Sequence, residues 1–225
     1  MLPLKNEKNI LNIQSPTNVE NCVNSNSIMK ENLKIRGHFK LECFDKSGNL
    51  IDKFEEHNLV VLGARKHFMK LIGGAYDSNK IINRFVLGTD GVVGEDSIPK
   101  SEEDGLNPTL EDLFCKTTDP NKRGILFEEI NFTPSTNDSY TQATNIQDGS
   151  NNNSVVNVIV DETSLEPSIS YIFNIPTDAF NGKNDYMKFN EAGLFAGDTL
   201  IAIRTFKTKA KDSSVSMKVT WSLIF

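Results

Sequence analysis

The sequence is poor in the residues on which most recognisable chemistry depends. It holds three cysteines and three histidines in 225 residues. Cys22, Cys43 and Cys115 lie far apart, with no CxxC pair, a usage that suits folding in a reducing cytoplasm. His38, His57 and His67 form no paired ligand motif, so no metal site is expected. No apolar run approaches the roughly 20 residues that span a bilayer, and no membrane partner is expected. The opening Met1-Leu-Pro-Leu-Lys-Asn-Glu-Lys lacks a basic start followed by an apolar stretch, so no secretory signal is expected. Positive charge is also in deficit. Lys and Arg number 24 against 30 Asp and Glu, for a net charge of −6. Such a chain has no general pull toward phosphate, which sets nucleic acid aside as a partner.

Motifs of catalysis and cofactor binding are missing as well. Gly88-Thr89-Asp90-Gly91-Val92-Val93-Gly94 does not have GxGxxG spacing, and no helix with a Lys-Ser or Lys-Thr pair follows it. It reads as a loop. There is no Gly-x-Ser-x-Gly elbow. The sequence therefore assigns no catalytic residue, no cofactor and no metal ligand, and the chain reads as a protein that is not an enzyme. Carboxylates are plentiful. Glu102-Glu103 and Glu128-Glu129 read as solvated loop charge. Glu191 stands apart beside the apolar Ala192-Gly193-Leu194-Phe195, where it should make structural hydrogen bonds at a turn or strand edge. The oxygen-rich runs Asp45–Asn49 and Asp119–Gly124 do not continue into a calcium loop, and turn chemistry accounts for both. Of two basic clusters, Lys66–Lys70 and Arg204–Lys211, the second reads as a solvated loop between strands. Its functional reading is a contact with acidic residues around 95–112 of a neighbouring subunit.

What is present is β patterning. Residues 1–33 are polar, rich in Asn, Ser and Lys, and read as an extended or flexible N-terminal arm that cannot build its own core. A β-rich module is expected over 34–225, with polar insertions near 89–120 and 133–153. His38–Cys43 alternates, Asp45–Asn49 is a turn cluster, and Leu50–Glu56 resumes, which together predict a hairpin. Ala64, Phe68, Leu71 and Ile72 recur at helical spacing, predicting an amphipathic helix over Leu62–Ile72 that ends at Gly73-Gly74 and covers part of a sheet. Further strands are expected over 82–87, 124–132, 154–160, 168–175, 187–195 and 199–206. A short helix is expected at Asn107–Asp112, with Asn107 as cap and Pro108 in its first turn. Val215, Met217, Val219, Trp221, Leu223 and Phe225 alternate with polar residues to the final position, so the last strand should be buried on one face. The fold class is mainly β, a sandwich or partly open barrel with one or two short helices.

Two segments carry a family resemblance. Asn190-Glu191-Ala192-Gly193-Leu194-Phe195, followed by Gly197-Asp198-Thr199-Leu200-Ile201-Ala202-Ile203-Arg204 and the alternating terminal strand with Trp221, resembles the end of the N-terminal domain of phage tail-collar fibre proteins and related virion structural proteins. Upstream, Asn83-Arg84-Phe85-Val86-Leu87-Gly88-Thr89-Asp90-Gly91 is similar to that family's apolar strand running into a glycine loop. The resemblance covers roughly residues 58–225, and its motif residues are Gly88, Glu191, Gly193, Leu194, Phe195 and Trp221. It implies a structural role in a bacteriophage virion, assembled in the host cytoplasm, as a tail, collar or baseplate adaptor that attaches fibres. The implied partners are other virion structural proteins and further copies of the chain. Two departures stand out: an arm and a hairpin (1–57) precede the module, with a long insertion between the matched segments, and the fibre shaft of that family is expected to be supplied by another chain. The alternative reading is a glycan-binding β-sandwich, but such sites favour exposed aromatics, and the 133–153 loop offers only Tyr140.

Overall fold

The computed structural model describes residues 35–75, 81–94, 98–132, 141–145 and 154–225. The expected arm, Cys22 and Tyr140 lie outside the described residues. The module is mainly β, and its large sheet is a curled, open half-barrel of ten antiparallel strands. In chain order, strands β1 (Arg36–Phe44) and β2 (Leu50–Val60) precede helix α1 (Leu62–Ile72). Strand β3 (Arg84–Gly88) follows, then the two-residue strands β4 (Val92–Val93) and β5 (Ile98–Pro99), which pair with each other. Strands β6 (Phe127–Asn131), β7 (Thr141–Asn145), β8 (Val155–Asp161) and β9 (Ser168–Ile175) come next. The chain finishes with β10 (Tyr186–Ala196), β11 (Thr199–Asp212) and β12 (Ser216–Ile224). The order across the large sheet is β6-β3-β10-β11-β2-β1-β12-β9-β8-β7.

Strict alternation makes β1 and β12 neighbours. Phe39, Leu41 and Cys43 point inward from β1, opposite Trp221, Val219 and Met217 of β12. Asp45 shapes the β1–β2 turn by accepting the N–H groups of Ser47 and Asn49, and Gly48 supplies a positive φ of 81°. Phe39 lies edge-on to Trp221, with ring centroids 5.0 Å apart, and stacks on Phe206 at 5.7 Å. Each such fully buried large side chain contributes roughly 1.5–3 kcal/mol relative to an exposed one. The sheet curls because its two ends share this core. Phe85 of β3, second in the order, stacks on Phe173 of β9, eighth in the order, with centroids 4.2 Å apart. Phe132, next after β6, meets Phe173 at 5.7 Å.

The hinge of the curl is β2. It pairs with β1 as far as Asn58, then with β11 through Leu59 and Val60 alone. β3, β10 from Phe189 onward and β11 from Leu200 to Ile203 are buried on both faces. Phe85, Leu87 and Leu194 face the half-barrel core, while Val86, Phe195 and Ile203 face a second cluster with Leu113, Cys115 and Phe127. That second cluster explains the unbroken apolar runs at 192–195 and 200–203, since strands covered on both sides do not alternate.

Several expectations are corrected. Asn107–Asp112 is a turn and not a helix: the Asn107 side chain accepts the Thr109 N–H at 2.9 Å, the local bond by which Asn favours a turn. The segment 133–153, read as one loop, contains β7 at Thr141–Asn145. β11 runs on to Asp212, so Arg204–Lys211 is strand and not loop. Arg204 pairs with Glu56, and Lys209 with Asp52 at 2.5 Å, both partners on β2. Their charge is answered within the chain. Glu128 and Glu129 are not loop charge either: they lie on β6 and pair with Arg123 and Arg84. Helix α1 has the expected bounds, but its buried residues are Ala64 and His67. Leu71 and Ile72 are exposed, because the helix packs by its first two turns and its last turn overhangs the sheet.

Candidate functional site

The motif residues converge on one buried polar knot. β3 and β10 are adjacent, with Gly88 opposite Glu191, Leu87 opposite Ala192 and Val86 opposite Gly193. Glu191 is fully buried, although the pleat would allow a carboxylate there only if its oxygens found donors. They do. Oε1 accepts the backbone N–H of Cys115 at 2.9 Å and of Asp90 at 3.2 Å, and Oε2 accepts that of Phe114 at 2.9 Å. The Cys115 thiol lies beside the same carboxylate, both of them against Gly88.

Neighbouring side chains repeat the device. Asn190 Oδ1 accepts the Gly91 N–H at 2.6 Å. Thr205 on β11 donates its hydroxyl to the Lys100 carbonyl at 2.8 Å. Lys100 in turn lies over the Phe114 ring, with its Nζ 4.2 Å from the centroid. Three buried polar groups on β10 and β11 thus tie down Asp90, Gly91, Lys100, Phe114 and Cys115 against the outer face of the sheet.

Glycine makes the close approach possible. A Cβ at Gly88 would lie 2.6 Å from Cys115 Sγ and 2.7 Å from Glu191 Oε1. At Gly91 it would lie 2.4 Å from the Asn190 carbonyl oxygen, and at Gly193 2.8 Å from Leu113 Cδ2. The Gly88–Gly91 loop is therefore shaped to lie against a carboxylate from its own sheet.

Burial raises the Glu191 carboxyl above the usual carboxylate range, while its hydrogen bonds from Cys115, Phe114 and Asp90 act in the opposite sense. Burial, followed by the nearby Glu191 charge, also pushes the Cys115 thiol far up, which disfavours the thiolate that would be its reactive form. A carboxylate whose oxygens are committed to backbone donors and closed to solvent is built to hold a loop in place.

Of the remaining motif residues, Leu194 faces the half-barrel core, Phe195 lies under the Arg84 guanidinium at 4.3 Å, and Trp221 sits at the centre of the aromatic cluster, away from the knot. Sequence reasoning missed Asn190, Thr205, Leu113 and Cys115 as members of the site. Leu106, Leu110 and the run Leu113-Phe114-Cys115, apolar residues within a polar insertion, were the available signal. Among the described residues, no group of three or more His, Cys, Asp or Glu is placed to hold a metal ion.

A second buried charge lies at the far end of β11. Lys211 Nζ donates to Asn181 Oδ1 at 2.7 Å, to the Asp212 carbonyl at 3.0 Å and to the Thr177 carbonyl at 3.2 Å. Burial lowers its ammonium to a pKa of about 8. It staples the 176–185 loop to the sheet. Compared with known proteins, the chain matches no family model, no curated protein and no solved structure.

Proposed function

We propose that the chain is a structural component of a bacteriophage virion, a tail, collar or baseplate adaptor that attaches fibres, and that it performs no catalysis. The observation that carries this reading is the adjacency of the two segments that resemble the tail-collar family. They lie about a hundred residues apart in sequence, yet form neighbouring strands, with Gly88 set against Glu191. Two short similarities that meet in one hydrogen-bonded unit support the resemblance more than either does alone. The chemistry of that unit points the same way. Its polar groups are used to rigidify a loop over a sheet, as a load-transmitting joint between proteins requires. The partners under this reading are other virion proteins and further copies of the chain. The test is mass spectrometry of purified particles, with localisation in a particle map. Recovery of the chain at a fixed copy number is the expected result, and its absence from particles rejects the role.

A further inference from the structure

The last turn of α1 carries apolar side chains turned outward. Ile72 is 87% exposed and Met69 is 64% exposed. Phe68, one turn before Ile72 on the same helix face, meets the Phe225 ring edge-on with centroids 6.0 Å apart. Phe225 is itself 42% exposed. Its N–H donates to the Pro167 carbonyl at 2.9 Å, which brings the β8–β9 turn, with the fully exposed Leu165, alongside. Helix end, final residue and turn form one apolar seam.

The two elements that bound the seam, α1 and the β8–β9 turn, differ in the sign of their own charges. Helix α1 carries Arg65, Lys66 and Lys70 and no acidic residue. The turn carries Asp161, Glu162 and Glu166 and no basic residue. Arg36 pairs with Glu166 between them, so the acidic turn already accepts a cation from its own β1. Scattered apolar residues on a surface need no explanation. An apolar seam with a basic bank and an acidic bank is different, because it is complementary to a copy of itself.

We propose that this seam is a self-association surface, occupied by the same seam of a second copy across a two-fold axis. In such an isologous contact the basic helix of each copy faces the acidic turn of the other, and the apolar residues meet near the axis. The inference deepens the proposed virion role, on which it rests only in taking the chain to work as an assembled subunit.

Sedimentation velocity of the full chain over a micromolar dilution series tests it. The expected result is a concentration-dependent dimer. Ile72→Asp and Leu165→Asp, both at solvent-exposed positions, are each expected to weaken it by about tenfold or more, with the β circular dichroism signature unchanged. Lys66→Glu and Glu162→Lys are each expected to weaken it by roughly threefold or more, and the two together in one chain to restore it. That restoration requires helix-to-turn contact between copies. A monomer at every concentration overturns the proposal and leaves the seam to a different partner. A dimer indifferent to Ile72→Asp and Leu165→Asp overturns it as well. Particle mass spectrometry reports separately: a chain absent from virions that still dimerises through the seam sinks the virion role alone, and a monomeric chain found in virions sinks the dimer alone.

Discussion

Glu191 and Lys211 are the two buried charges whose loss tells most. Glu191→Ala would leave the Asp90, Phe114 and Cys115 N–H groups unpaired above a cavity, an expected cost of about 3 kcal/mol or more in denaturant unfolding. Glu191→Gln keeps the shape and an acceptor and should cost less. The pH dependence separates them further. A carboxyl raised on folding holds its proton more tightly in the folded state, so wild-type stability falls as pH rises from the unfolded value of about 4.3 toward the raised folded one. The Gln variant lacks that titration, and the wild type should gain on it as pH is lowered through this window. Lys211 works in the opposite direction. Its folded pKa of about 8 lies below the unfolded value of about 10.4, so the unfolded chain binds more protons between them and stability rises with pH across that interval. The Cys43 thiol, pushed up to about 11 by burial, opposes this rise. The comparison is therefore with Lys211→Met, in which a gain on the order of 2 kcal/mol between pH 8 and 10 should vanish. Equal pH profiles for the two proteins would count against a buried ammonium.

Among the elements, β10 and β12 hold the module together, for different reasons. β12 lies between β1 and β9 and lines the core with Met217, Val219, Trp221 and Leu223. β10 lies between β3 and β11 and is covered on both faces. Their amides should be the slowest to exchange with deuterium, and those of β8, toward the open edge and with Val155 and Ile159 exposed, among the fastest. The glycines of the β3–β10 pair give a second test. Gly88→Ala and Gly193→Ala each force a methyl group to within 2.6–2.8 Å of packed atoms and should cost about 2–4 kcal/mol. Gly48→Ala, in the open β1–β2 turn, meets nothing within 4 Å and bears only the positive-φ strain of about 1 kcal/mol. Similar losses at Gly88 and Gly48 would show that the knot is looser than its geometry implies.

The module as one body is dominated by pairings between distant parts of the chain. β1 pairs with β12, β2 with β11 and β3 with β10, so the N-terminal half of the sheet cannot complete itself until the last strands are in place. Loop-closure entropy must be met before those contacts form, which predicts folding on the order of milliseconds to seconds, slower than a helical bundle of equal size. Stopped-flow fluorescence of Trp221, buried in the aromatic cluster, reads this directly. A chain cut after Asp212 loses β12 and with it both neighbours' hydrogen-bonding partner, and is expected to fail to fold. A cooperative melt from that truncated chain would place the stabilising core elsewhere.

Local pattern alone determined the β class, the hairpin built on 38–43 and 50–56, the bounds of α1 and the inward face of β12 from Met217 to Leu223, because period 2 and period 3.6 are properties of adjacent residues; Phe225, expected on that face, lies past the strand and is exposed. Asp45 and Asp119 read as turn formers for the same reason, and both accept backbone N–H groups two residues on. Glu191 was conspicuous in the sequence as a charge beside an apolar run. Its donors were not, since Asp90, Phe114 and Cys115 lie 76 to 101 residues away and offer only backbone N–H groups, which every residue has. The continuation of β11 to Asp212 was hidden because its lysines read as solvated, whereas Lys209 finds Asp52 and Lys211 finds three oxygens only once the sheet has formed. The exposed end of α1 was likewise undecided by spacing, which shows that a helix has an apolar face but not how far the sheet beneath it extends. Which strands meet, which face of each is covered twice, and which charges are thereby buried are set by long-range packing, where the free energy of closing the half-barrel outweighs the local preference of any one segment.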